Sequence, residues 1–281
     1  MGDVVRGRVS QAIPPAVSRP KEPAMARHSR LVLVLFAALG CILFGGHVFA
    51  ADAAKPIRVL LIAGDDVAPF HDWRDISEST RDVLVASGRF DVVVCEDPLI
   101  LESKKALDAY DVIVFTLFNK SVPDVGKDAK KNLLDFVKKG KGFYVQHLAS
   151  ASMPDWEEFG KLCGRRWVMG TSGHGPREVF KAKVTKTKHP ITKGLTDFDI
   201  FDELYSNMQG SVPIEVLIEA DSPWSGKTEP LLFTLSYGKG RVVNNAFGHD
   251  FKAIKHPTMK KIIARSVEWA ATGRVAKPAA D

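Results

Sequence analysis

From residue 57 onward the apolar positions follow two alternating rhythms. Ile57-Arg58-Val59-Leu60-Leu61-Ile62-Ala63-Gly64 is a near-continuous apolar run closed by glycine, the pattern of a strand buried on both faces of a parallel sheet. Residues 73–87 switch to helical spacing, with Ile76, Thr80, Val83 and Leu84 on one face. Strands are predicted at 90–95 and 111–117. A capped helix over about 124–139 then turns Leu133, Leu134 and Val137 inward, and a strand at 142–146 runs straight into His147. Strands alternating with helices at this rhythm predict βαβ units. The fold class is therefore α/β: three layers, a mostly parallel sheet with helices on both faces.

The second half has a different rhythm. Residues 179–185 and 216–219 read as strands without long helices between them. Residues 231–236 and 241–246 flank Tyr237-Gly238-Lys239-Gly240, an added β-hairpin region with a glycine-rich turn. A final amphipathic helix, 256–272, has Ile262, Ile263, Val267 and Trp269 to bury. No repeat or linker divides the chain, so residues 51–281 are read as one domain with a core of about 56–273.

The first 50 residues follow neither rhythm. Arg27, His28 and Arg30 precede an uninterrupted run of apolar and small residues from Leu31 to Gly46, and His47-Val48-Phe49-Ala50 offers a cleavage site after Ala50. A spanning helix wants about 20 apolar residues. This run is shorter and ends in Gly45-Gly46, so a secretory signal over about 25–50 is expected, with a membrane anchor as the alternative. Cys41 fits a lipobox poorly. Residues 1–24, rich in Pro and Arg, read as a disordered extension or as sequence upstream of a start at Met25. The expected product is exported to the periplasm or beyond, with no stable membrane insertion after cleavage.

That leader changes the meaning of the charge. Six of the 39 basic and two of the 33 acidic residues lie in 1–50, which leaves 33 against 31, a formal charge of +2. Lys127, Lys130, Lys131, Lys138 and Lys139 read as a solvated helix face, not the clustered basic surface that a nucleic acid needs. Two cysteines remain, Cys95 ending a predicted buried strand and Cys163 ending a helix. With no C-x-x-C spacing, both are expected to be buried free thiols.

Ligands of open α/β sheets bind beyond the carboxyl ends of the strands, and histidines recur there. His71 lies in the loop after the first strand and His147 directly after the fourth. His174 sits in Met169-Gly170-Thr171-Ser172-Gly173-His174-Gly175, and His249 follows the last strand. Imidazole suits acid–base work, hydroxyl contacts and metal binding near neutral pH. Asp202-Glu203-Leu204-Tyr205 brings two acids and an aromatic ring to where the chain leaves the core, and Asp65 and Asp66 follow the first strand. His189 and His256 precede prolines and read as turn and helix-start residues.

Taken together, several segments resemble the trehalose-utilisation (ThuA-like) family. They are the strand opening toward His71 and Trp73; Gly140-Lys141-Gly142-Phe143-Tyr144-Val145-Gln146-His147; His189-Pro190-Ile191-Thr192-Lys193-Gly194-Leu195 running into Asp202-Glu203-Leu204-Tyr205; and Tyr237-Gly238-Lys239-Gly240-Arg241-Val242 running into Gly248-His249-Asp250. The resemblance implies a class I glutamine amidotransferase-like fold and a link to carbohydrate metabolism. It does not imply amide hydrolysis. That chemistry needs a cysteine thiolate at a sharp strand-to-helix elbow, and here the strand ends Gln146-His147-Leu148.

The resulting expectation is an exported, sugar-directed protein with His71, His147, Glu203 and His249 as catalytic groups. Trp73, Asp202, Tyr205 and His174 are expected to bind substrate, the aromatic rings by stacking on a pyranose. The partner is a small saccharide, a disaccharide or an oxidised (keto) sugar; self-association stays open. One alternative is a metal-dependent hydrolase, in which the histidines and an acid hold a divalent ion. No His-Glu-x-x-His spacing accompanies them. The other alternative is a module that binds a glycan without turning it over.

Overall fold

The computed structural model describes residues 55–64, 70–119 and 124–276. The expected leader, with Cys41, and the loop carboxylates Asp65 and Asp66 lie outside the described residues. No helix among the described residues is long and apolar enough to cross a membrane.

The strands are β1 (Ile57–Ile62), β2 (Phe90–Cys95), β3 (Val112–Phe115), β4 (Gly142–Gln146), β5 (Glu178–Val184), β6 (Phe198–Asp202), β7 (Glu215–Ser222), β8 (Lys227–Tyr237) and β9 (Gly240–Asn245). Among the described residues they form one sheet, in the order β2-β1-β3-β4-β9-β8-β7-β5-β6. The helices are α1 (Trp73–Ala86), α2 (Lys104–Leu107), α3 (Lys127–Lys138), α4 (Glu157–Cys163), α5 (Phe251–Ile254) and α6 (Pro257–Thr272).

The expectation of a mostly parallel sheet needs correction. Four neighbouring pairs, all among β2, β1, β3, β4 and β9, are parallel, and the other four are antiparallel. The connections explain why. β8 joins β7 and β9 through short turns, which can link only antiparallel neighbours, whereas parallel strands need a crossover of a dozen or more residues.

Alternate residues of β1 feed two apolar clusters, as the pleat requires. Val59 and Leu61 pack with Ile76, Val83 and Leu84 of α1 and with Ile262, Ile263 and Val267 of α6. Leu60 and Ile62 pack with Leu133, Phe136 and Val137 of α3 and with Phe159 and Leu162 of α4.

Three local expectations change. β2 is an edge strand, so Cys95 at its end is only partly buried, whereas Cys163 is buried; both thiols are free. α3 starts on Gly126 without a side-chain cap, and Asp124 instead pairs with Lys130. Phe198–Asp202, for which the sequence reading predicted no strand, form β6. β5 pairs in register with β7 only at Lys183 and Val184, and with β6 along Glu178–Ala182. This outer pair delivers Asp202 and Glu203 to the functional site.

Candidate functional site

Strands β1, β4 and β9 run parallel, so the residues that follow them emerge on one rim. His71 precedes α1, whose N-terminus is capped by the Asp72 carboxylate. His147 leaves β4 in a left-handed conformation, φ 49°, and opens a short 3-10 turn over His147–Ala151. A non-glycine residue there is uncommon and signals local strain held by its surroundings. The tether is visible: the His147 Nδ1–H donates to the Ala246 carbonyl just beyond β9, 2.7 Å away.

Glu203 comes from the opposite side, held by its neighbour. The fully buried Asp202 carboxylate accepts from the backbone N–H groups of Glu203 (2.9 Å), Gly248 (2.8 Å) and His249 (3.1 Å). It thereby clamps the end of β6 to the loop after β9. Gly248 takes φ 112° with the Gln146 side chain packed against its α-carbon, a position that a β-carbon would crowd. Asp202, expected to bind substrate, is fully buried, with its carboxylate turned to these backbone N–H groups.

Four imidazoles surround the one carboxylate. The Nε2 atoms of His147 and His71 lie 3.4 and 3.8 Å from Glu203 Oε2. Those of His249 and His174 lie 3.3 and 3.5 Å from Oε1. His71, His147 and Glu203 are buried, and His249 and His174 are partly open. Burial, reinforced by the His147 and His249 rings, lowers the His71 pKa to about 3. Burial likewise takes His249 to about 4, against the pull of the Glu203 charge. Burial pushes Glu203 upward, but the close approach of the His147 ring and the fields of His147, His249 and His174 outweigh it and hold the carboxyl at about 2. At neutral pH the cluster therefore presents neutral imidazoles at His71 and His249 beside a carboxylate anion.

The hydrogen bonds are incomplete. His71 Nδ1 and Nε2, His147 Nε2, His249 Nδ1 and Glu203 Oε2 are buried with no partner among the described residues. Such orphans are rare in folded proteins, and each calls for an explanation such as a ligand, an ion or a catalytic role.

Residues 58–270 match the family model described as ThuA, trehalose utilisation. The chain belongs to the ThuA family. Membership supports a carbohydrate-related role. A ThuA-like protein from Parabacteroides merdae is 26% identical, with a TM-score of 0.69 over 79% of this chain and 92% of that one. A second, from Bacteroides uniformis, is 19% identical, with a TM-score of 0.63 over 80% and 98%. A β-galactosidase from Rahnella sp. R3 shares the fold at 12% identity and a TM-score of 0.52, over 77% of this chain and 32% of that one. No curated protein matches the chain.

Within this ThuA chain the two aromatic residues singled out from the sequence, Tyr205 and Trp73, differ in exposure. Tyr205 is 1% exposed. Its ring stacks on His147 at 4.0 Å and packs against Trp167 at 4.3 Å, so it has no free face for a pyranose. Trp73 is partly buried against the core, with the Arg74 guanidinium 4.0 Å from the ring centroid. Trp224, which the sequence reading passed over, is 48% exposed and lies so close over Gly173 that a β-carbon there would meet its ring at 2.4 Å. It therefore borders His174. Its only sequence signal was the Gly173-His174-Gly175 pair of glycines that leaves room for it.

Proposed function

We propose that this ThuA-family protein is an exported enzyme that moves protons on a small saccharide, a disaccharide or an oxidised (keto) sugar, at the cluster around Glu203. The observation that carries this reading is the convergence of buried, unpartnered Nε2 and Oε2 atoms on one point. A proton-transfer site needs groups within hydrogen-bond reach of the reacting atoms, with protonation states suited to the task. His147, oriented through Nδ1 and with Nε2 directed at the carboxylate, is the principal base. His71 and His249 are neutral imidazoles beside it, and the Glu203 anion stabilises positive charge that forms on them. His174 and Trp224, at the more open side, bind the sugar through a polar edge and an aromatic face. Neither cysteine takes part, because His147 occupies the strained elbow where a thiolate nucleophile would have to stand.

The test is calorimetry and product analysis with disaccharides and their 3-keto forms. Turnover that falls about 10²–10⁴-fold in His147→Ala, the usual cost of losing a general acid or base, is the expected result. Tight binding with no product would make the protein a glycan-binding module instead. For export, mass spectrometry of envelope protein should find an N-terminus at or near Ala51; an intact Leu31–Gly46 segment would mean an anchor.

A further inference from the structure

The unsatisfied atoms of the cluster share a property beyond their number. The Ala246 carbonyl can only accept, so it places the His147 proton on Nδ1. The Gly175 carbonyl, 2.6 Å from His174 Nδ1, does the same for that ring. Both Nε2 atoms therefore face Glu203, at 3.4 and 3.5 Å. Beside them His71 Nε2 and Glu203 Oε2 are buried without a partner among the described residues. A proton joins one donor to one acceptor, whereas a metal ion serves several donors at once.

We propose that His71, Glu203 and His249 hold one divalent first-row transition-metal ion. The inference deepens the reading above and rests on the same cluster. One ligand atom from each of the three residues lies within 4.8 Å of the other two. His71 Nε2 lies 3.8 Å from Glu203 Oε2 and His249 Nε2 lies 3.3 Å from Glu203 Oε1, so the two imidazoles approach the two oxygens of one carboxylate at separations near what an ion needs. Ligands about 2.0–2.2 Å from a tetrahedral ion stand roughly 3.3–3.6 Å apart. Two imidazoles and a carboxylate suit zinc and its neighbours better than calcium or magnesium, which prefer oxygen. Three protein ligands are also the number found in catalytic zinc sites, where a further position takes water or substrate. The three come from the loop before α1, the end of β6 and the loop after β9. No short helical motif links them, which is why the sequence lacks the familiar metal spacing.

The full chain, stripped with chelator, is titrated with Zn²⁺ and separately with Co²⁺. Calorimetry, elemental analysis and the visible absorption of cobalt provide the readouts. One equivalent should bind. His71→Ala, His249→Ala and Glu203→Gln should each weaken binding more than about 100-fold, beyond the 10–100-fold typical of a supporting residue. His256→Asn, which keeps an acceptor at the start of α6, should leave binding unchanged. Circular dichroism checks each variant, and His249→Gln replaces any alanine variant that fails to fold. No bound metal, or binding indifferent to these three positions, overturns the site. The titration uses no sugar, so the two readings fail separately. Saccharide turnover by metal-free protein would remove the ion and keep the enzyme; metal binding without saccharide recognition would do the reverse.

Discussion

Two groups of buried polar residues stand one step apart on the same pair of strands, and they have opposite hydrogen-bonding states. Gln146 and Asn245 end β4 and β9 and face each other in register. Asn245 Nδ2 donates to the Tyr144 hydroxyl (2.8 Å), which donates to Gln146 Oε1 (3.1 Å). Gln146 Nε2 in turn donates to Thr80 Oγ1 of α1 (3.2 Å), and Asn245 Oδ1 accepts from the Phe247 N–H (3.3 Å). His147 directly follows β4, and its buried Nε2 lacks a partner among the described residues. Burial and polarity are common to both groups, so neither identifies a site. Satisfaction separates them. A closed network stabilises the ends of the strands, and a cluster with open donors and acceptors is arranged for something that is not protein.

The sharpest way to break this contrast is to exchange the phenotypes. Glu203→Gln removes the charge that the four imidazoles surround while keeping the shape, and should lower turnover about 10²–10⁴-fold. It should stay folded with a lower melting temperature, because a carboxyl held at about 2 favours the folded anion at neutral pH. Asn245→Ala should act chiefly on stability. It leaves the Phe247 N–H without its acceptor and removes a donor to the Tyr144 hydroxyl, a loss of about 1–3 kcal/mol in denaturant unfolding. A Glu203→Gln variant that unfolds, or an Asn245→Ala variant that is fully stable but inactive, would show the two groups wrongly divided. A smaller effect is expected at Trp224→Ala. Aromatic packing contributes about 0.5–1.5 kcal/mol beyond area burial, so saccharide affinity should weaken about two- to tenfold with the catalytic rate little changed. An unchanged affinity would take Trp224 out of the sugar site.

The sequence made the parallel half of the fold legible. The runs of β1 and β3 and the helical spacing of α1 and α3 are strong local signals, and strand-end histidines follow from them. The antiparallel half was harder. β6 has alternating exposed and buried residues and pairs chiefly with β5, so its short stretch carries no run or long periodicity to mark it. The arrival of Glu203 among the histidines depends on the Asp202 clamp, a contact 46 residues distant in sequence at Gly248. Local pattern cannot encode such a meeting. The packing of Tyr205 was hidden for a related reason: an aromatic residue next to a site residue reads as a platform, and only the structure reveals that its ring is enclosed. The family resemblance was visible in the order of motifs, whereas the sharing of one carboxylate by four imidazoles was visible only in three dimensions.

The smallest effect is expected at the cysteines, and its size discriminates between two chemistries on one fold. A thiol acts as a nucleophile only as its thiolate. Burial pushes the Cys163 thiol strongly toward the protonated form, and the residue is 0% exposed in the cluster that packs α3 and α4 against the sheet. Cys95 closes the edge strand β2, where its S–H donates to the Asp97 carbonyl at 3.3 Å. Neither residue is among the groups that surround Glu203. The double variant C95A/C163A should therefore keep turnover within a few-fold of the parent. Its stability should fall by about 1 kcal/mol, in line with the loss of one small buried group at Cys163. The measurement is paired: steady-state turnover on the saccharide that binds best, and denaturant unfolding of the same preparation. A folded double variant without turnover would return a thiol to the mechanism, and His147 at its strained elbow would then need another purpose.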